Sequence, residues 1–319
     1  MSKNKPLVSV VMPTFNGSTS GYIKESIESV LRQTYKNFEF IIVNDCSIDD
    51  TLNIIQDYAS QDDRIRIVNN QTNQKLPQSL NNGFNLANGI YYTWTSDDNY
   101  YHENALEEMV KYLEKNPNKI LVCSDYEILG LKSYSRIFKV SAAKEDLISY
   151  DSVGACFMYR ADAAKQIGDY NKEEFKVEDY EYWLRLGLIG DFGVIHQILY
   201  TYRFQPNSLS MTAKKGEIDN KTNELLYKFL PRYIEKYPNL NLDVISRMRM
   251  ALVSGLNLKD EVKKIWKTSD RRTKRMIYVF LRDRFANSGK NIYKESIKVL
   301  SVKYIVKFYI FCIKHRIKF

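Results

Sequence analysis

Cysteine is scarce: four residues (Cys46, Cys123, Cys156 and Cys312) in 319, with no C-x-x-C pair. That excludes a zinc ribbon and a disulfide scaffold, and suits a reducing compartment. Histidine is scarcer still, at three (His102, His196, His315), which excludes a His-rich metal site. No G-x-G-x-x-G follows the first strand-like run and no G-x-x-x-x-G-K-[ST] occurs, which disfavours Rossmann dinucleotide and P-loop binding. The opening residues Met1–Pro6 lack the long apolar stretch of a signal peptide, and multiple membrane spans are absent.

What is present suits a folded chain. Hydrophobic residues make up 44% and charged residues 27%, enough for a sizeable core, and bulk disorder is not expected. The net charge of +9 is unevenly placed. Residues 261–319 hold 17 Lys/Arg against 4 Asp/Glu, and the other 260 residues hold 30 against 34. A slightly acidic body with a basic tail suggests two physical jobs on one chain.

The first 115 residues alternate between two periodicities. Leu7–Met12, Phe38–Val43, Ile65–Val68 and Ile90–Thr95 are short apolar runs that read as buried strands. Between them, Gly21–Gln33 places Ile23, Ile27, Val30 and Leu31 on one helical face. A second helix opens at Ser47–Asp50, and a third runs from Pro77 to Ala87. This pattern predicts an α/β domain with a mostly parallel sheet covered on both faces. Ligands then bind beyond the carboxyl ends of the strands. The residues there are Pro13-Thr14-Phe15-Asn16, Asn44-Asp45-Cys46-Ser47, Gln71–Lys75 and Ser96-Asp97-Asp98-Asn99.

Asp97-Asp98 is the sharpest local feature. Adjacent carboxylates raise each other's pKa unless a positive charge sits beside them, and a hard divalent cation is a natural partner. The plainer reading is a cap for a helix over Glu103–Leu113. Glu178-Asp179 likewise reads either as a functional pair or as the solvated acidic face of a helix. Trp94 and Trp183 suit stacking on a sugar or base, or core packing.

Three blocks carry a resemblance: Val8–Asn16, Ser26–Thr34 and Phe38–Ser47. In order and spacing they are similar to the family 2 inverting glycosyltransferases of GT-A fold, and the likeness runs from Val8 to about Ser210. The resemblance implies a GT-A α/β domain over residues 1–211, and the different composition of 212–319 reads as a helical C-terminal extension. It implies that Pro13, Thr14, Phe15 and Asn16 form the turn that holds the nucleotide, and that Asp45 reads the base of a uridine nucleotide. Asp97 would reach the ribose or metal, and Asp98 would bind Mn²⁺ or Mg²⁺ bridging the phosphates. Asp179 would be the catalytic base, supported by Glu178 and Trp183.

Three positions depart from the family pattern. Thr95 stands where D-x-D-D opens, Asn81-Asn82 where Arg-Asn is common, and Gln205 where a His often follows Tyr-Arg. Lys75 is the nearby charge available to the phosphates. The absence of Q-x-x-R-W after Asp179 argues against a processive synthase. A non-catalytic nucleotide-sugar or glycan-binding protein on the same fold is the alternative.

In the tail, Glu217–Tyr237 and Val244–Leu256 read as helices punctuated by Pro231 and Pro238, followed by basic helical segments over Val262–Phe285 and Ile292–Phe319. Lys303, Lys307, Lys314 and Lys318 share one helical face. The last segment's longest uncharged stretch is Phe308–Ile313, six residues against the roughly 20 that span a bilayer. An in-plane amphipathic helix at the inner face of the cytoplasmic membrane is expected, with packing or homo-oligomerisation as the other use. No nucleic-acid motif accompanies the charge. The expected acceptor is a glycan or lipid-linked group in cell-surface polysaccharide synthesis.

Overall fold

The computed structural model describes residues 5–130, 135–206, 208–209, 211–214, 216–243 and 246–247. The expected helix over Val244–Leu256 lies almost wholly outside these, and the basic segments over Val262–Phe319 lie entirely outside. The chain divides into two compact units at Leu225.

The first unit is built on a seven-stranded sheet. Its strands are β1 (Val8–Thr14), β2 (Phe38–Asn44), β3 (Ile65–Asn69), β4 (Tyr91–Trp94), β6 (Lys119–Ser124), β9 (Phe157–Arg160) and β10 (Asp191–Ile195). The order is β10-β6-β9-β4-β1-β2-β3, and β9 runs antiparallel to both its neighbours. All seven residues of β1 are buried, as are six of seven in β2, which is why these strands read as unbroken apolar runs. Helices α1 (Ile23–Leu31), α2 (Thr51–Gln61), α3 (Lys75–Phe84), α4 (Ala105–Lys115), α5 (Lys144–Leu147), α6 (Ala161–Ile167) and α7 (Glu178–Ile189) accompany the strands. In α1 the buried stripe is Ile23, Ile27 and Val30, and in α4 it is Leu106, Met109, Val110 and Leu113.

A second, four-stranded sheet has the order β5-β11-β7-β8: β5 (Tyr100–Tyr101), β11 (Tyr200–Arg203), β7 (Tyr126–Leu129) and β8 (Ser135–Phe138). Its short strands carry no periodic signal and were not anticipated. Pro13 sits inside β1 without costing a ladder bond. Thr14 C=O accepts from Asp45 N–H on the β2 side, and Val11 C=O accepts from Thr95 N–H on the β4 side. Strand alternation then turns Pro13 toward β4, beyond the last pairing at Val11–Trp94.

One boundary differs from expectation. α3 begins at Lys75 and ends at Phe84, because Pro77 in the first turn needs no hydrogen-bonded N–H. The helix α8 (Glu217–Lys236) runs through Pro231 and ends one residue short of the expected Tyr237. Leu225, Leu226, Phe229, Leu230 and Tyr233 form its buried stripe.

Candidate active site

The ends of β1, β2 and β4 converge, as expected. Phe15 is 49% exposed just beyond β1. Asn16, at φ +55°, donates its N–H to Ser47 Oγ (2.9 Å) and accepts from Ile48 N–H through Oδ1 (3.0 Å), tying the two strand-end loops together. A 3₁₀ turn, Gly17–Ser20, then passes under the β4 end. Thr14 Oγ1 donates to Asp97 Oδ2. A Cβ on Gly17 would lie 2.5 Å from both of those atoms, so only glycine lets the turn approach. Asp49 holds the same turn through Ser18 Oγ and Thr19 N–H and Oγ1.

Asp45 is buried, and both its oxygens are engaged. Oδ1 accepts from Asn70 Nδ2 and Gln74 N–H (2.8 Å each), and Oδ2 from Lys75 N–H (2.9 Å). It therefore fixes the start of α3. Lys75 itself is exposed at φ +66°, with Nζ 5.4 Å from the Phe175 ring centroid in the lead-in to α7.

Asp97 and Asp98 follow β4 after Thr95 and Ser96. They do not cap α4: β5 intervenes and Asn104 is the capping residue. Burial raises the Asp97 carboxyl to about 7; the Thr14 hydrogen bond opposes this and the Asp98 charge adds to it. Burial also raises Asp98, against its own backbone N–H and the Arg203 charge. Arg203 Nη1 donates to Asp98 C=O (2.7 Å) and Nη2 to Glu25, while its guanidinium lies between Tyr22 and Tyr100 at 4.2 and 4.8 Å. Thr95 Oγ1 is 2.8 Å from Tyr200 Oη. Gln205 Nε2 is buried without a partner among the described residues.

Among the described residues no three His, Cys, Asp or Glu side chains form a metal cage. The donor set still fits a divalent cation that takes most of its oxygens from a bound diphosphate. Two desolvated carboxylates stand together, and Mg²⁺-type sites commonly use one or two carboxylates plus phosphates.

On the far side, Glu178 and Asp179 open α7. Neither belongs to a solvated face. Glu178 is 3% exposed, and its Oε2 accepts from Lys176 N–H (2.6 Å). Burial, then the Asp179 charge, pushes Glu178 up to about 8. Asp179 is half-buried, accepts from Tyr180 N–H at Oδ1 (2.7 Å), and is raised by burial. Asp151, which the sequence reading missed, is a third carboxylate here; burial, then the Asp179 charge, raises it to about 7. Its available signal was an Asp-Ser-Val-Gly turn ahead of β9. Of the two readings of Trp183, the structure takes core packing: it is fully buried with its ring 4.5 Å from Phe157 and 5.9 Å from Tyr159. Trp94 is half-buried, donates Nε1–H to Tyr170 Oη (3.1 Å), and meets Phe157 edge-on.

Among the described residues four non-glycine residues have positive φ: Asn16, Cys46, Lys75 and Lys176. All lie on the segments just described. Strain of about 1–3 kcal/mol per residue persists where surrounding structure enforces it, and it clusters at functional sites.

The site thus combines a mixed α/β sheet, acidic residues beyond its strand ends and a buried acid at a helix start. Residues 9–168 match the family model described as Glycosyl transferase family 2. An uncharacterised glycosyltransferase of Haemophilus influenzae is 31% identical over 243 residues, covering 69% of this chain and 75% of that protein. One from Methanocaldococcus jannaschii is 32% identical over 228 residues, covering 66% and 76%. Among solved structures, Staphylococcus aureus TarS 1–349 in complex with UDP-GlcNAc aligns with TM-score 0.59 at 16% identity, covering 88% of this chain and 87% of that one. Its complex with UDP gives 0.58 at 17%, covering 86% and 79%. The chain belongs to glycosyl transferase family 2 and is a glycosyltransferase.

Proposed function

We propose that the protein transfers a sugar, with inversion, from a nucleoside diphosphate donor to an acceptor hydroxyl, using a divalent cation. The observation that carries this reading is Asp179: half-buried, raised by its surroundings, and without a cationic partner among the described residues. Such a carboxylate is suited to accept a proton at neutral pH. The acceptor oxygen attacks the anomeric carbon as the bond to the diphosphate breaks, and Asp179 takes the hydroxyl proton. One direct displacement inverts that carbon.

In this reading Pro13–Asn16 and Asp45 would form the nucleotide side of the site, with the exposed Phe15 ring available to a base. Asp97 and Asp98 would hold the cation, which when bound supplies positive charge to the leaving diphosphate. A uridine nucleotide is the favoured donor, supported by TarS being solved with UDP and UDP-GlcNAc. A glycan or lipid-linked acceptor in surface polysaccharide synthesis fits the basic tail. The balance of 17 basic to 4 acidic residues over 261–319 suits contact with an anionic membrane from the cytoplasmic side.

Calorimetric titration with UDP, GDP, CDP and dTDP, with and without Mn²⁺, tests the reading. UDP is expected to bind best, to need Mn²⁺, and to lose at least tenfold in affinity in Asp98→Ala. A folded protein that binds none of the four contradicts it.

A further inference from the structure

The carboxylate the proposed reaction does not use is Asp151. Its Oδ1 accepts from Val153 N–H (3.2 Å) and, at longer range, Gly154 N–H (3.4 Å). Its Oδ2 accepts no hydrogen bond, and it forms no ion pair among the described residues. The turn is held firmly. Gly154 has φ +70°, and a Cβ there would lie 2.4 Å from Tyr126 Cε1 and 3.1 Å from Tyr126 Oη.

Tyr126 supplies a second, independent observation. Only 8% of it is exposed, but its hydroxyl is not among the buried unpartnered atoms: it forms no hydrogen bond to the described residues and is open to solvent. Its ring is pinned, stacked on Phe138 at 4.9 Å. Burial, then the charge of Asp151 and those of Tyr202 and Asp179, raises the phenol, so it stays a neutral donor. A fixed hydroxyl that bonds to solvent and to no protein group can exchange that water for a ligand oxygen. Tyr126 and the Asp151 turn, in contact through Gly154, thus present one donor and one acceptor within reach of the Asp179 charge; Asp179 Oδ2 also accepts no hydrogen bond among the described residues.

We propose that Asp151 and Tyr126 form an acceptor subsite that holds a second hydroxyl of a polyol or sugar acceptor while Asp179 takes the proton of the attacking hydroxyl. This rests on the role given to Asp179 above. Asp151 neither attacks nor takes the proton; it is a positioning residue that accepts a hydrogen bond from the neighbouring hydroxyl. The favoured acceptor class is a neutral vicinal diol. Orientation by two contacts favours such a diol over a monohydroxylic alcohol.

The test uses the full chain with the UDP-sugar that the wild type turns over, and four acceptors: water, glycerol, 1-propanol and ethanolamine. Wild type is expected to favour glycerol over 1-propanol by at least tenfold. Asp151→Asn and Tyr126→Phe should each erase most of that preference through glycerol KM. UDP affinity and donor hydrolysis should stay within about threefold of wild type, a range smaller than the loss of one net hydrogen bond. The acid limb of the hydrolysis profile should move to lower pH in Asp151→Asn, because a like charge beside Asp179 is gone while Glu178 and Tyr170 remain. A merely structural Asp151 would leave the glycerol preference of the folded protein as in wild type. Equal use of glycerol and 1-propanol by wild type, preference for ethanolamine, or unchanged glycerol preference in both variants overturns the proposal. Hydrolysis surviving at the wild-type rate in Asp179→Asn would instead overturn the assignment of the base.

Discussion

Gly17 and Asp179 show how single positions govern the site. A methyl at Gly17 meets Thr14 Oγ1 and Asp97 Oδ2 at 2.5 Å. Gly17→Ala should therefore separate that pair and cost about 1–3 kcal/mol in stability, the range for overpacking. UDP affinity should fall with it, measurable by calorimetry beside a denaturation curve. Asp179→Asn should lower transfer by about 10²–10⁴-fold while leaving UDP affinity intact, the range for a lost general base. Trp183 predicts the reverse pattern. Trp183→Ala should cost about 3–5 kcal/mol, as for a large core aromatic, with unchanged UDP affinity in the folded fraction. Asp45, Asp97 and Asp98 were legible because each follows a strand-like apolar run, and Asp179 because the family resemblance pointed to it. Asp151 was not, because its importance depends on β9 and α7 meeting in space. Trp183 stayed ambiguous because α7 buries Tyr180, Tyr182, Trp183, Leu184 and Leu186 around most of its circumference. A helix apolar on all sides gives no face to read.

At the scale of elements, β1 to β4 and α1 to α3 followed from apolar period. The small sheet and the antiparallel β9 did not. Their strands are two to four residues long and pair across distances such as Thr201 to Glu127, so local pattern carries nothing about them. The small sheet matters because β11 brings Arg203 to the Asp98 carbonyl. Arg203→Lys keeps the charge but loses the planar fork that reaches both Asp98 and Glu25. It should weaken Mn²⁺-dependent UDP binding by about tenfold, equivalent to roughly 1.4 kcal/mol or one charge-assisted hydrogen bond. Unchanged affinity would show that the Asp98 loop holds its shape without this clamp.

For the whole molecule, the buried acids set a pH dependence. Asp151 and Glu178 lie near 7 and 8 in the folded chain, against about 3.9 and 4.3 for unfolded carboxyls. Between about pH 4 and 8 the folded state then binds more protons than the unfolded one, so these groups make stability fall as pH rises. Asp49 acts oppositely at the acid end. Burial would raise it, but hydrogen bonds from Ser18, Thr51 and Thr19 outweigh burial and hold it at about 2, so its contribution is lost as pH falls through that value. The ligand-free protein should melt several degrees higher at pH 5.5 than at pH 8.5, and Glu178→Gln should flatten that slope. The central claim is inversion at a site where Asp179 is the base. It is tested most directly by proton NMR of the sugar first released from an α-linked UDP-sugar. The β anomer should appear first with wild type, and release should collapse in Asp179→Asn. The α anomer appearing first, or undiminished release from Asp179→Asn, would contradict the account.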